Sequence, residues 1–333
     1  MKTAFHFRGV AITWPFLAII AGALLLLVAV PTVLNPYQTI LFSYGLVMAI
    51  AALGFNLLLG YGGLTSFGHS AYFGIGTYTV AFLVKYLGVN SMEVHIAVGI
   101  AATAVLAAVF GFLCVRFTLI YFSILTLALS QVLWSLAFKF FWVTGGTDGL
   151  RVPRPTLLGG AIRFAGGSAY MDFVRSYYYY LLVVFAISVF VMWLIVHSPF
   201  GKALQAIRDN ATRAEFIAIR VWHYRYAAFL ISGIFTGLAG VLWVPLNGLT
   251  TPEVLYWPFS GEIVFMTVLG GFRNFTGPIV GAIAFNYLKT YAVALTEYWQ
   301  FLLGFTLIVL VMVLPSGIVG TAIRLWPKLR RES

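Results

Sequence analysis

The sequence predicts an all-α fold, a polytopic transmembrane helical bundle of about 8–10 spans. The mean hydropathy of the 333-residue chain is +0.98, and hydrophobic residues make up 62% of it against 9% charged residues. Apolar runs of about 20 residues, the length that crosses a bilayer, recur along the chain. The polar connectors are too short for a soluble domain of roughly 100 residues. We therefore expect a single transmembrane domain over residues 1–333.

The apolar runs place ten candidate spans, at residues 12–34, 37–59, 68–87, 95–115, 118–141, 176–197, 227–247, 258–272, 276–296 and 299–320. The first run follows a basic start, as in a signal peptide. It is too long for one, and no small-residue cleavage site follows it, so we expect a retained helix. The eighth run is short for a span, and we expect a half-helix or a re-entrant segment there.

The basic residues indicate an orientation with both termini in the cytoplasm. Under this topology the cytoplasmic side receives thirteen basic residues: Lys2, Arg8, Arg116, Lys202, Arg208, Arg213, Arg220, Arg225, Arg273, Arg324, Lys328, Arg330 and Arg331. The outside connectors receive four: Arg151, Arg154, Arg163 and Arg175. Membrane topology therefore explains the net charge of +11. No basic block is interleaved with aromatic residues, which argues against binding of nucleic acid.

The sequence also argues against enzyme chemistry in this chain. The single cysteine, Cys114, allows no internal disulfide and matches no metal-ligand spacing. The Gly-Lys pair Gly201-Lys202 is followed by Ala203, without the Ser or Thr and the earlier glycine of a P-loop. No span carries paired carboxylates or clustered histidines for a metal or for acid–base work. We therefore expect a chain without its own cofactor, metal or ATPase motif.

One cytoplasmic segment, residues 198–226 ("SPFGKALQAIRDNATRAEFIAIRVWHYRY"), is unusually polar. Apolar residues recur there at spacings of three and four, which predicts an amphipathic helix whose apolar side holds Leu204, Ile207, Ala211, Ala214 and Ala218. Such a helix either rests on lipid headgroups or docks a soluble partner. Its apolar side is built from small residues without Trp or Phe anchors, which favours the protein partner.

Six ordered blocks carry a family resemblance: "LGFNLLLGYGGLTSFGHSAYFGIGTYT" (53–79), "IYFSILTLALSQ" (120–131), "TGGTDGL" (144–150), "SPFGKALQAIRDNATRAEFIAIRV" (198–221), "GEIVFMTVLGGFRNFTGPIVGA" (261–282) and "FLLGFTLIVLVMVLPSGIVG" (301–320). They resemble the M-type permease subunit of the high-affinity branched-chain amino-acid ABC importers. The resemblance implies that residues 198–226 are the coupling loop that receives the ATPase. It assigns this role to Gly201, Ala206, Arg208, Asp209 and Ala214. The stretch "AEFIAIRV" departs from the family, which commonly has a glycine there.

The resemblance also implies partners and a location. The chain would act with a second related permease, two ABC ATPases that bind ATP and Mg, and a periplasmic or extracellular substrate-binding protein. The location would be the cytoplasmic (inner) membrane of a bacterium or archaeon. Branched-chain amino acids are the expected substrate, with urea, short amides or small carboxylates as alternatives within the family. An ion-coupled secondary transporter is the alternative from another class, and it would need ionisable groups clustered near the midplane.

The glycine-rich stretch at residues 60–76 presents candidate pathway residues. It lacks the GxGxxG spacing of a nucleotide site, and membrane helices use such glycines for close packing or local unwinding. If the stretch unwinds, Ser66, His69 and Ser70 would line a break in the pathway. The alternative is that they pack and hydrogen-bond in the interior.

Glu262 is the second candidate, because a carboxylate inside a membrane segment usually faces a paired or hydrated interior. Lys289 in the ninth span, or a residue of another subunit, is the expected partner. We predict a structural or gating role for Glu262 rather than contact with substrate, since a free amino acid is neutral overall. The alternatives are a solvated Glu262 at the outer interface and a Lys289 that snorkels.

Two further patterns concern the chain's organisation. "GGLTSF" (62–67) and "GGFRNF" (270–275) both precede a span that leaves the cytoplasmic side, which suggests a parallel repeat. The external loop 142–175 is rich in Gly, Pro and Arg. We predict that it caps the outer face and meets the binding protein through Arg151 and Arg154, the alternative being an ordinary connector.

Overall fold

A computed structural model describes residues 3–7, 10–162 and 169–332, and it describes side chains from residue 25 to residue 325 outside 163–169. Lys2, Arg8, Arg163 and residues 164–168 of the predicted external loop lie outside the described residues. The α-helices are α1 Trp14–Val33, α2 Pro36–Asn56, α3 His69–Leu87, α4 Met92–Cys114, α5 Leu119–Lys139, α6 Phe141–Thr144, α7 Ala169–Val196, α8 Pro199–Asp209, α9 Ala211–Phe216, α10 Val221–Asn247, α11 Trp257–Gly270, α12 Gly277–Leu295, α13 Trp299–Val313 and α14 Gly317–Glu332.

The helices confirm the predicted all-α membrane class. Each predicted span coincides with a helix, and seven helical segments within the described residues are long and apolar enough to cross a membrane. The described strands form two small antiparallel pairs, β1 (Thr3–Phe7) with β2 (Val10–Thr13) and β3 (Leu150–Arg151) with β4 (Leu249–Thr250). The chain is therefore a multi-pass helical membrane protein.

Three helix boundaries differ most from the prediction. α7 begins seven residues before the predicted start at 176, and α10 begins six before 227. The polar loop is shorter as a result, because its last six residues already belong to α10. The last predicted span, 299–320, is divided into α13 and α14, since Pro315 cannot donate a backbone hydrogen bond and Gly317 adopts a φ of 72°.

The core lies around α2 and α10. In the most apolar stretch of the span Pro36–Tyr61, 83% of the residues are buried, against 17% in α5, which lies at the periphery. α10 packs against α3 with very close backbones, because a side chain at Gly76 would overlap the carbonyl of Gly237. Small residues at a crossing allow membrane helices to approach in this way.

Two helices begin beside one another after non-helical segments. α2 runs into a π-helical turn, Leu57–Tyr61, and residues 62–68 then lead to α3. α10 is followed by β4 and the 3₁₀ turn Pro252–Leu255, which lead to α11. The backbone N–H of Ser70, at the start of α3, donates to Ser260 Oγ near the start of α11 at 2.8 Å. The short eighth span is confirmed as a helix of 14 residues.

The second glycine of each glycine-containing repeat has a positive φ. Gly63 in "GGLTSF" and Gly271 in "GGFRNF" hold the same place in the motif, and their φ angles are 68° and 106°. Both lie where a side chain would collide, Gly63 with Arg208 and Gly271 with the carbonyl of Ser316. This agreement is consistent with the predicted repeat, which stays a prediction.

Candidate functional site

The polar cytoplasmic segment is folded as two helices rather than one. Pro199 opens α8, where its missing N–H costs nothing. Asn210 ends α8 with an extended backbone and then caps α9, because its Oδ1 accepts from the N–H of Arg213 at 2.9 Å. The single amphipathic helix predicted over this segment is therefore corrected to two, with the break at Asn210.

The apolar side of this segment is covered by the subunit itself. Leu204 and Ile207 of α8 and Ala214 of α9 are buried, although this side was predicted to meet a partner. The prediction is wrong for these residues, because small side chains let α8 approach its own bundle. Gly201 lies at the tight turn from α7 into α8, since a side chain there would overlap the carbonyl of Val196. Ala206 is partly exposed.

The opposite side of the segment is exposed and includes large apolar groups. Phe216 is 85% exposed and Ile217 is 69% exposed, at the end of α9. A groove of about 950 Å³ runs beside them, lined by His197, Ser198, Pro199, Lys202, Ala203, Ala206, Ile217, Ile219 and Tyr224. We name Phe216, Ile217 and this groove the exposed coupling surface. The sequence did not predict that Phe216 and Ile217 are exposed, because residues next to them in the chain lie on the buried side of the segment.

Ala218 follows this surface in a left-handed conformation with a φ of 62°. Only glycine adopts such a backbone routinely. The stretch "AEFIAIRV", where the family resemblance leads us to expect a glycine, therefore keeps a backbone that suits glycine.

Arg208 connects α8 to the core. Its Nη1 donates to the carbonyl of Gly60 in the π-helical turn at 2.6 Å, while Nε and Nη2 donate to Asp209 Oδ1 at 3.1 and 2.9 Å. Gly63 packs under the same side chain, since a Cβ there would lie 2.8 Å from Arg208 Cγ. Gly60 in turn closely approaches the carbonyl of Phe272 in the loop between α11 and α12. Three segments distant in sequence thus meet at Arg208 and Gly60.

Ser66, His69 and Ser70 lie together but are fully buried. The ring of His69 is hydrogen-bonded on both nitrogens, Nδ1 to Ser66 Oγ at 3.1 Å and Nε2 to Ser232 Oγ in α10 at 2.7 Å. The rings of Phe55 and Tyr72 pack edge-on against it. This geometry suits a histidine that joins α3 to α10, a contact that the sequence does not indicate because Ser232 lies 163 residues away.

Glu262 and Lys289 form an ion pair. Lys289 Nζ of α12 donates to Glu262 Oε1 of α11 at 2.6 Å, so the expected partner is the observed one. The side chain of Glu262 is 19% exposed and that of Lys289 is 32% exposed. Lys289 Nζ also lies 5.8 Å from the centre of the Trp299 ring. The pair is therefore neither sealed in the core nor fully solvated.

The loop between α5 and α7 is tied to neighbouring segments. β3 pairs with β4, and the side-chain amide of Asn90 donates to the carbonyl of Arg154 at 2.9 Å. Arg151 is exposed, whereas the guanidinium of Arg154 also packs on the rings of Tyr170 and Phe173. Docking of a binding protein through the two arginines stays a prediction.

Metal-ligand geometry is not found in the part of the chain that the structure describes, since no group of three His, Cys, Asp or Glu residues there is placed to hold an ion. The thiol of Cys114 is free and buried.

Comparisons with known proteins agree over most of the chain. Residues 37–311 match the family described as "Branched-chain amino acid transport system / permease component". The high-affinity branched-chain amino acid transport system permease protein LivM of Escherichia coli is 26% identical over 315 residues, which cover 90% of this chain and 74% of that protein. LivH of Salmonella typhimurium is 23% identical over 84% of this chain and 92% of its own length. BraD of Pseudomonas aeruginosa is 24% identical over 84% and 93%. No solved structure matches.

Proposed function

Because the chain belongs to the family of branched-chain amino acid transport permease components, as a multi-pass permease subunit of an ABC importer, we propose that it translocates branched-chain amino acids. Its relatives include two distinct kinds of permease, LivM and LivH, which suggests a second permease beside it. We propose that residues 1–333 act as one permease domain in the cytoplasmic membrane of a bacterium or archaeon, with both termini in the cytoplasm.

In this proposal two ABC ATPases bind ATP and Mg and drive the permease through α8 and α9. The proposed coupling to the ATPases rests on one observation: one side of the segment contacts the core of the subunit and the other side is exposed. Its Arg208 is bonded to the π-helical turn of the core, whereas Phe216 and Ile217 point away from the subunit. An exposed apolar surface at the end of a short polar loop is typical of a site that a protein partner covers. A force applied there would reach α2 through the bond between Arg208 and Gly60.

An external binding protein would deliver the substrate to the opposite side. The loop between α5 and α7 is the proposed contact, with exposed Arg151 offering a positive charge to acidic residues on the partner. Changing Arg151 to Glu should weaken this docking, and unchanged affinity for the binding protein would contradict it.

The test begins with purification of the complex from its native membrane in mild detergent and identification of the co-purifying subunits. The complex is then placed in proteoliposomes with its binding protein, and ATP-dependent uptake of labelled leucine, isoleucine, valine and urea is measured. We expect P-loop ATPases in the complex and uptake of the three amino acids that an ionophore does not abolish. A chain that purifies alone, or uptake driven by an ion gradient without ATP, would overturn the proposal.

A further inference from the structure

The ion pair of Glu262 and Lys289 lies within two helices rather than at their ends. Glu262 is five residues after the start of α11 at Trp257, and Lys289 is six residues before the end of α12 at Leu295. At a rise of 1.5 Å per residue, Lys289 lies about 9 Å from that end along the helix axis. Both charges therefore lie more than one turn inside their helices and within the predicted spans 258–272 and 276–296.

One side of this ion pair is open. The exposed fractions of 19% and 32% mean that other atoms of this subunit do not fully cover either group. Charged groups at membrane depth are costly against lipid and are found instead beside protein or a water-filled cavity. The open side therefore faces such a cavity or a neighbouring subunit, and an exchanging polar ligand could reach it from there.

The helix that carries Glu262, α11, is also short and begins after an interruption in helical structure. α11 has 14 residues, is separated from α10 by β4 and a 3₁₀ turn, and begins against the start of α3. Transporters place substrate sites at discontinuous helices of this kind, because irregular backbone at membrane depth has to border protein or water. Phe265 lies one turn after Glu262 and is exposed, so an apolar surface accompanies the charges.

We propose that Glu262 and Lys289 form a transit site for the zwitterionic head of an α-amino acid. The Glu262 carboxylate would bind the substrate ammonium, the Lys289 ammonium would bind the substrate carboxylate, and Phe265 would contact the side chain. When substrate binds, the ion pair between Glu262 and Lys289 opens and two ion pairs with the substrate replace it, so the site stays neutral. A site with only one charged residue would leave one end of the zwitterion without a partner. From the sequence we expected a structural or gating role for Glu262 rather than contact with substrate. The proposal departs from that expectation, because the observed pair presents one charge of each sign and so matches a zwitterion that is neutral overall.

This inference rests on the proposed function, and charge selectivity tests it. The full permease and ATPase complex is placed in nanodiscs without its binding protein, and binding of tritiated leucine is measured. Competitors are leucine, 3-methylbutylamine, which lacks the carboxylate, and 4-methylpentanoate, which lacks the ammonium. The variants are Glu262→Gln, Lys289→Gln and the double variant. Glu253→Gln and Lys139→Gln, changes of the same type at exposed positions outside the pair, serve as controls.

We expect each pair variant to bind leucine about tenfold or more weakly, the loss of a hydrogen bond to a charged group. Glu262→Gln should gain preference for the carboxylate competitor, because Lys289 is left alone, and Lys289→Gln should gain preference for the amine. A purely structural pair would give no such inversion. The controls should bind as the wild type does.

Three results would overturn the site: no leucine binding by the wild-type complex, wild-type affinity in all three variants, or loss of the second permease from the variants with no change in competitor preference. Uptake by the wild-type complex with its binding protein separates this from the proposed function. If wild-type uptake of branched-chain amino acids persists while the site fails, only the site is wrong. If the wild type takes up none of them, the proposed function itself fails.

Discussion

The guanidinium of Arg208 donates to the carbonyl of Gly60 at 2.6 Å, across 148 residues of sequence. The acceptor belongs to the π-helical turn that ends the most buried helical span, and the donor belongs to the short helix beside the exposed coupling surface. Under the proposed function, a displacement of α8 would be transmitted to α2 by a charge-assisted hydrogen bond, the stronger class of such bonds.

Changing Arg208 to Ala should uncouple the transporter. The bond to Gly60 is lost, at a cost of about 1.5–3 kcal/mol, and we expect ATP-driven uptake to fall about tenfold while ATP hydrolysis continues. Uptake and hydrolysis measured in the same proteoliposomes check this. Arg213→Ala, at an exposed arginine in α9, is the matched control and should retain uptake. Equal uptake in both variants would remove the transmission role.

Gly60→Ala should lower stability, because the added methyl would overlap the carbonyl of Phe272. The neighbouring atom is backbone and cannot move aside cheaply, so we expect a loss of about 1–3 kcal/mol. Thermal unfolding of the detergent-solubilised protein measures it. Gly304→Ala in α13, where nothing lies within 4 Å of the added atom, should be neutral or slightly stabilising. A similar unfolding temperature for the two variants would contradict this reading.

Phe216→Ala should leave the subunit stable and weaken the ATPase. Since the side chain is exposed, we expect a stability change within about 0.5 kcal/mol, but a loss of about 2 kcal/mol in ATPase affinity if the exposed coupling surface is the docking site. Leu204→Ala, on the buried side of α8, should instead cost about 2–5 kcal/mol of stability. Thermal unfolding and a pull-down of the ATPase separate the two effects, and unchanged retention by Phe216→Ala would reject this docking surface.

Ser232→Ala should destabilise the protein by roughly 1–3 kcal/mol, because His69 Nε2 loses its partner in a buried place. If the cluster serves packing, uptake per folded molecule stays at the wild-type level, and only the yield and the unfolding temperature fall. Thr306→Ala in α13 removes a hydroxyl that bonds only within its own helix, and it serves as the control. A lower uptake per folded molecule for Ser232→Ala would favour the predicted pathway role of Ser66, His69 and Ser70.

Ala218→Gly should stabilise the protein by about 1 kcal/mol, since it relieves a left-handed backbone with a φ of 62°. Ala206→Gly, the same change inside α8, should have the opposite sign and cost about 0.5–1 kcal/mol. Unfolding temperatures of the two variants check the signs. A lower unfolding temperature for Ala218→Gly would contradict the strain.

Hydropathy was enough to predict the helices and the short α11, because bilayer thickness sets the length of each apolar run. It also offered Lys289 as one of two candidate partners of Glu262, since few charges occur inside the predicted spans and charges there are usually paired. The segment that carries Arg208 and Asp209 could be recognised in the sequence because it is unusually polar. These features depend on local composition or on rare residue types.

The remaining features depend on which segments meet. Amphipathic spacing showed that α8 has an apolar side but not that its own bundle covers Leu204 and Ile207. The partners of Arg208 and His69, Gly60 and Ser232, lie 148 and 163 residues away, and no local pattern marks them. The break at Asn210 was readable in principle, because Asn is a preferred N-cap. The apolar periodicity across it concealed the break.

The bond from the Ser70 N–H to Ser260 Oγ also bears on how the chain is made. The two residues are 190 positions apart, so the ribosome has completed seven helices after α3 before the acceptor exists. Until then the first turn of α3 has a backbone N–H without this partner, which is costly wherever water cannot reach it. The half-built protein therefore has to keep this end of α3 hydrated or shielded by the insertion machinery.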